Sequence, residues 1–108
     1  MRVVRYVVLA CLLQGCGEDS KPPGTVTGGD AGRGRAVYLS QCTACHASDP
    51  AKDGPVGPAI RGSSRALLEA KVLHGTYPPG YRPKRNTAAM LPQPQLGPAV
   101  PDLEAFLR

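Results

Sequence analysis

The chain has no tryptophan, one phenylalanine and four tyrosines in 108 residues, and Tyr6 lies in the N-terminal apolar stretch. So few rings cannot form stacking platforms, and no run of Lys or Arg stands on a helix face, which excludes a nucleic-acid footprint. Scarce aromatics also leave a thin core, in a domain near the size of roughly 80 residues below which small scaffolds need a staple. No apolar run reaches the ~20 residues of a membrane-spanning helix. Histidine and methionine number two each, and no cluster of acids, bases and nucleophiles suggests acid–base catalysis. No repeat is evident.

What is present is concentrated in Cys42-Thr43-Ala44-Cys45-His46. Two thiols three positions apart, followed at once by an imidazole, have the spacing of covalent haem attachment. The sulfurs add to the two vinyl groups on one edge of the ring, and the histidine supplies an axial nitrogen. A zinc site would need about four Cys/His ligands, and no second pair remains in the mature chain. A thioredoxin-like pair would want a βαβ setting, which this Gly/Pro-rich sequence lacks. A disulfide across so short a loop would leave His46 unexplained. One haem c, bound through Cys42 and Cys45, is the expected cofactor.

The other cysteines belong to the N-terminus. Arg2 and Arg5 precede a short apolar run that closes with Leu13-Gln14-Gly15-Cys16. A basic start and short apolar stretch have the layout of a secretory signal, and the close resembles a bacterial lipobox. Residues 1–15 are expected to be removed, taking Cys11 with them, and Cys16 to be lipidated. Buried acyl chains contribute about 0.8 kcal/mol per CH₂, enough to anchor an otherwise soluble domain. The competing reading is an ordinary signal that leaves Cys16 a free thiol. Residues 16–29, polar and rich in Gly and Pro, are expected to form a flexible linker reaching about 20 Å. Loss of Arg2 and Arg5 lowers the formal charge of +5 by two, and two haem propionates lower it further. That mild basicity suits an acidic protein partner.

Residues 30–108 form the expected domain. Asp30 is a good N-cap for a helix leading to the cysteines. Gly32 and Gly34 each cost it about 1 kcal/mol relative to alanine, a cost that close approach of another helix at Gly34 would explain. Two Gly-Pro steps after His46 mark turns. A second helix, capped by Ser63 or Ser64, is expected to run through Leu67, Leu68, Val72 and Leu73 to Gly75. Gly75 to Pro98 reads as a long loop that needs a body to wrap. The last helix carries Leu103, Phe106 and Leu107 on one face, with Pro101 in its first turn.

Asp30 to Tyr38, Cys42 to His46, Gly57-Pro58-Ala59-Ile60-Arg61-Gly62, Met90-Leu91-Pro92 and Asp102 to Leu107 together resemble a small class I cytochrome c. The resemblance implies an all-α fold of three main helices with long loops around one haem, its first and last helices crossing near Gly34 and Phe106. It implies that the Pro58 carbonyl holds the His46 imidazole, that Ile60 borders the haem, and that Met90 ligates the iron opposite His46. Leu91 intervenes where members often read Met-Pro directly. Met90 as a loop hydrophobe and His74 as the distal ligand stay open alternatives. Lys52, Arg61, Arg82, Lys84 and Arg85 form either a basic rim that steers a redox partner or ordinary solvated loop charges, and Arg61 could pair with a propionate.

The expected function is that of a monomeric, monohaem electron carrier and not an enzyme, exported to the periplasmic side of a bacterial membrane and tethered there by lipid. A haem-based gas sensor with an open distal site, or a haem subunit of a larger oxidoreductase, are the alternatives.

Overall fold

The computed structural model describes residues 28–108. The leader expected over 1–15, Cys16 and residues 16–27 of the linker lie outside the described residues. Among the described residues all regular structure is helical. Helix α1 spans Ala31–Gln41, α2 spans Arg65–Leu68 and runs on into a π-helical turn over Glu69–Leu73, and a 3₁₀ segment over Pro94–Ala99 leads into α3, Val100–Leu107. None of these helices is long and apolar enough to cross a membrane.

Capping residues decide where the helices begin. The Asp30 carboxylate accepts the Arg33 N–H at 2.8 Å, satisfying one of the orphan donors at the start of α1. Ser64 does the same for α2, accepting from the Leu67 N–H at 3.1 Å. Ser63, the other candidate cap, instead donates its hydroxyl to the Ile60 carbonyl at 2.6 Å. Pro101 sits in the first turn of α3, where its missing N–H costs nothing.

Helices α1 and α3 cross at Gly34, where any β-carbon would strike the Asp102 carbonyl. Gly29, counted with the linker, lies in the same way against Pro101. The crossing is clamped at its edge: Asp102 accepts from the Asp30 N–H at 2.7 Å and from Arg33 Nε at 3.1 Å. Those donors, Arg33 foremost, hold the Asp102 carboxyl below its ordinary range. Beyond the crossing lies the core: Tyr38 from α1, Leu68 and Val72 from the second helical stretch, and Val100, Leu103 and Leu107 from α3. Phe106 tilts against Tyr38 with ring centroids 5.4 Å apart. Arg65 meets Glu104 at 2.7 Å and ties α2 to α3.

Two elements differ from the sequence-based expectation. The second helix is not a uniform α-helix, for its latter half widens to the π register. The expected loop from Gly75 to Pro98 ends early, in the 3₁₀ turn. Pro94 presets φ for the first turn, and the half-buried Leu96 packs that turn on the core.

Candidate functional site

Two cavities of about 340 and 260 Å³ share a wall made by Cys45, His46, Ile60, Leu68, Val72 and Met90. Cys42 borders the smaller one. The shared wall is largely apolar and continuous with the core, so what fills the slot completes the interior.

Helix α1 delivers the thiols. It ends at Cys42, whose N–H still reaches the Tyr38 carbonyl at 2.9 Å, and the chain then turns tightly with the His46 N–H on the Cys42 carbonyl at 3.0 Å. Thr43 Oγ1 donates to the Leu39 carbonyl at 2.7 Å, fastening that turn to the helix. The Tyr38 hydroxyl donates to the Ala47 carbonyl and holds the residue that follows His46. Cys42 and Cys45 are free thiols. Burial pushes the Cys42 thiol up to about 11, so it stays protonated near neutral pH until it is modified.

His46 is the one buried polar or charged side chain among the described residues, at 8 % exposure. Its Nδ1 lies 2.9 Å from the Pro58 carbonyl. A carbonyl oxygen can only accept, so Nδ1 carries a proton, and in the neutral ring Nε2 is the nitrogen with the lone pair. The loop that supplies Pro58 is sewn to the motif: the Val56 and Gly57 N–H groups both reach the Cys45 carbonyl, at 3.2 and 2.8 Å. Glycine permits this closeness. A β-carbon on Gly57 would enter the His46 ring, and one on Gly54 would strike the main chain of Cys45 to Ala47. Ile60, half-buried at both cavities, donates its N–H to Pro50 at 2.8 Å.

The two distal candidates part company. Met90 is half-buried, packs on the core and borders both cavities. His74 is exposed at the end of the π-turn and borders neither. Arg61, considered for a propionate, borders the larger cavity and donates from Nη1 to the Arg108 carbonyl at 3.0 Å. Of the other basic residues, Lys84 donates to the Ala59 carbonyl at 2.6 Å, and Arg85 to the Val56 carbonyl at 3.4 Å. Those two side chains tie loop to loop across the larger cavity. Lys52 and Arg82 stay exposed.

Sequence reasoning did not find a cluster at the larger cavity. Tyr77 and Tyr81 stack with centroids 5.4 Å apart, and the Lys71 ammonium lies 4.4 Å over the Tyr77 ring. Tyr77 and Tyr81 are four residues apart, but Pro78, Pro79 and Gly80 between them exclude a helix, so that spacing carries no usable signal. Among the described residues, no group of three or more His, Cys, Asp or Glu is placed to hold a metal ion by itself. Paired thiols, one imidazole and one thioether instead border an apolar slot, groups of the types that hold a haem iron.

No protein-family profile matches the chain, and no solved structure does. It is similar to the cytochrome c-553-like protein of Synechocystis sp., with 36% identity over 55 residues, 47% of this chain and 50% of that protein. The chain thus spans about half the length of the curated relative it matches. This likeness supports a c-type cytochrome, and the three-helix build, with no strand among the described residues, is consistent with a small all-α cytochrome c fold.

Proposed function

We propose that the chain is an exported, monohaem c-type cytochrome that carries single electrons between partner proteins and makes or breaks no substrate bond. The observation that carries this reading is the buried His46 imidazole, its Nδ1 bound to Pro58, directly after the two cysteines and bordering the same slot as Met90. In this reading Cys42 and Cys45 form the thioethers, and His46 Nε2 and the Met90 sulfur are the axial ligands. When bound, haem supplies an iron that cycles between the ferric and ferrous states. Pro58 keeps the imidazole in one tautomer and orientation. Ile60, Leu68 and Val72 keep water from the ring, and the soft Met90 sulfur favours the reduced iron and raises the potential. Lipid on Cys16 and the linker behind it keep the domain within about 20 Å of a membrane surface. The exposed Lys52 and Arg82 belong to a mildly basic surface that favours an acidic partner.

The test is an absorption spectrum of the oxidised and reduced protein, for wild type and Met90→Ala. A weak far-red sulfur-to-ferric band in wild type, absent from the variant, is the expected result. A spectrum indifferent to Met90 would overturn the ligand assignment. Carbon monoxide binding to the reduced wild type would then mark an open distal site, and its absence another side-chain ligand.

A further inference from the structure

The second helical stretch, π-helical over Glu69–Leu73, closes at Gly75 with one donor turned out of the α pattern. The His74 N–H is shared by the Ala70 and Lys71 carbonyls, the Gly75 N–H reaches Lys71 at 3.1 Å, and the Thr76 N–H reaches back to Ala70 at 3.0 Å. In an α-helix Thr76 would have bonded Val72. His74 and Gly75 keep their ordinary i−4 partners; only Thr76 turns away, and the Val72 carbonyl accepts instead from the Gln93 N–H at 2.6 Å. Gln93 stands three residues after Met90. A second contact falls beside it: Gly75 has φ +68°, and a β-carbon there would come within 3.0 Å of Pro92 Cγ. After the exposed Leu91, Met90 is therefore followed by two residues seated on the end of the second helix.

We propose that the π-turn and Gly75 form the seat that positions Met90, with Val72 offering a carbonyl to Gln93 and Gly75 leaving room for the Pro92 ring. Gly75 is a positioning residue: it touches Pro92, and it acts on the iron only through Met90. Val72 stands in the last turn, where carbonyls lack partners within the helix, and with Thr76 turned back to Ala70 its carbonyl is left to Gln93. A side chain at Gly75 is both strained at its positive φ and in the way of Pro92, so it lifts the segment that carries the sulfur. The inference rests on the reading of Met90 as an axial ligand.

The experiment compares the far-red band of the oxidised, haem-loaded protein in wild type, Met90→Ala, Gly75→Ala and Gly80→Ala. Gly80 has a similar positive φ of +79° but nothing within 4 Å of a β-carbon, so it reports the backbone strain alone. Gly75→Ala is expected to lose the band and to bind carbon monoxide when reduced, while Gly80→Ala keeps the band. Pro92→Ala leaves the helix intact; it should lose the band at a lower urea concentration than its helical circular dichroism, opening a gap absent from wild type. A wild-type band that Gly75→Ala leaves unchanged, equal losses in both glycine variants, or band and helix melting together in Pro92→Ala would overturn the seat. A wild type with no sulfur band would overturn the Met90 assignment and the seat with it.

Discussion

Tyr38 has no exposed surface, lies against Phe106, and reaches past the cysteines to donate its hydroxyl to the Ala47 carbonyl. Its phenol joins the core of the helix to the residue after His46. Burial, with the charges of Cys42 and Asp49 adding, raises its pKa above the ordinary 10.0. For a group whose folded pKa is raised, the linked stability is complete below the unfolded value and is lost as pH climbs through the folded one. Tyr38→Phe removes both the hydrogen bond and that alkaline loss. At neutral pH it should unfold in urea with about 1 kcal/mol less stability than wild type. Above pH 10.0 the two proteins should converge, because only the wild type has a phenol to ionise. Equal stability of the two proteins at neutral pH would show that Tyr38 acts through packing alone.

The crossing of α1 and α3 turns on the contrast between two glycines. Gly34 and Gly32 both weaken α1 by propensity, about 1 kcal/mol each, yet only Gly34 faces main chain. A β-carbon at Gly34 meets the Asp102 carbonyl, which cannot swing aside, whereas one at Gly32 meets only the side-chain end of Asp30 at 3.2 Å. Gly34→Ala should therefore destabilise, by about 1–3 kcal/mol of overpacking. Gly32→Ala should be neutral or stabilise by at most about 1 kcal/mol. Thermal unfolding of the two variants checks the sign, and two shifts of the same direction would contradict the account. Much of this element was legible beforehand: Asp30 reads as a cap, and a glycine that costs a helix its propensity asks for a close neighbour. The tie between His46 and Pro58 was expected only through resemblance, since nothing in the spacing aims that carbonyl. Leu67, Leu68, Val72 and Leu73 fit an ordinary helix, and no local pattern marks either the π register or the bond from Gln93, far along the chain, to the Val72 carbonyl. Prolines 94 and 98 read as helix breakers, but a short 3₁₀ turn accommodates both. Met90 and His74 are rivals by residue type; Met90 is half-buried at the cavities and His74 is exposed.

At the scale of the whole molecule, the core is divided by its own site. Leu68 and Val72 belong both to the buried cluster and to the wall of the cavities, so the packing that joins the second helix to α1 and α3 also faces the slot. An apolar cavity forfeits the contacts of the atoms that line it, and a domain with so few large side chains has little elsewhere to offset that loss. Filling the slot with a covalently held ring adds apolar surface to both sides at once, the role a staple has in other small scaffolds. The two thioethers then become stability determinants as well as attachment points. Cys42→Ala/Cys45→Ala, expressed alongside a haem-attachment system, should give a chain with reduced helical circular dichroism and a broad, non-cooperative melt. The single variants should fall between it and wild type. The helices have caps of their own at Asp30 and Ser64, and the Arg33–Asp102 clamp does not touch the slot. If those local devices suffice, the double variant will instead melt cooperatively with native ellipticity, and the ring will be a passenger in a fold that stands without it.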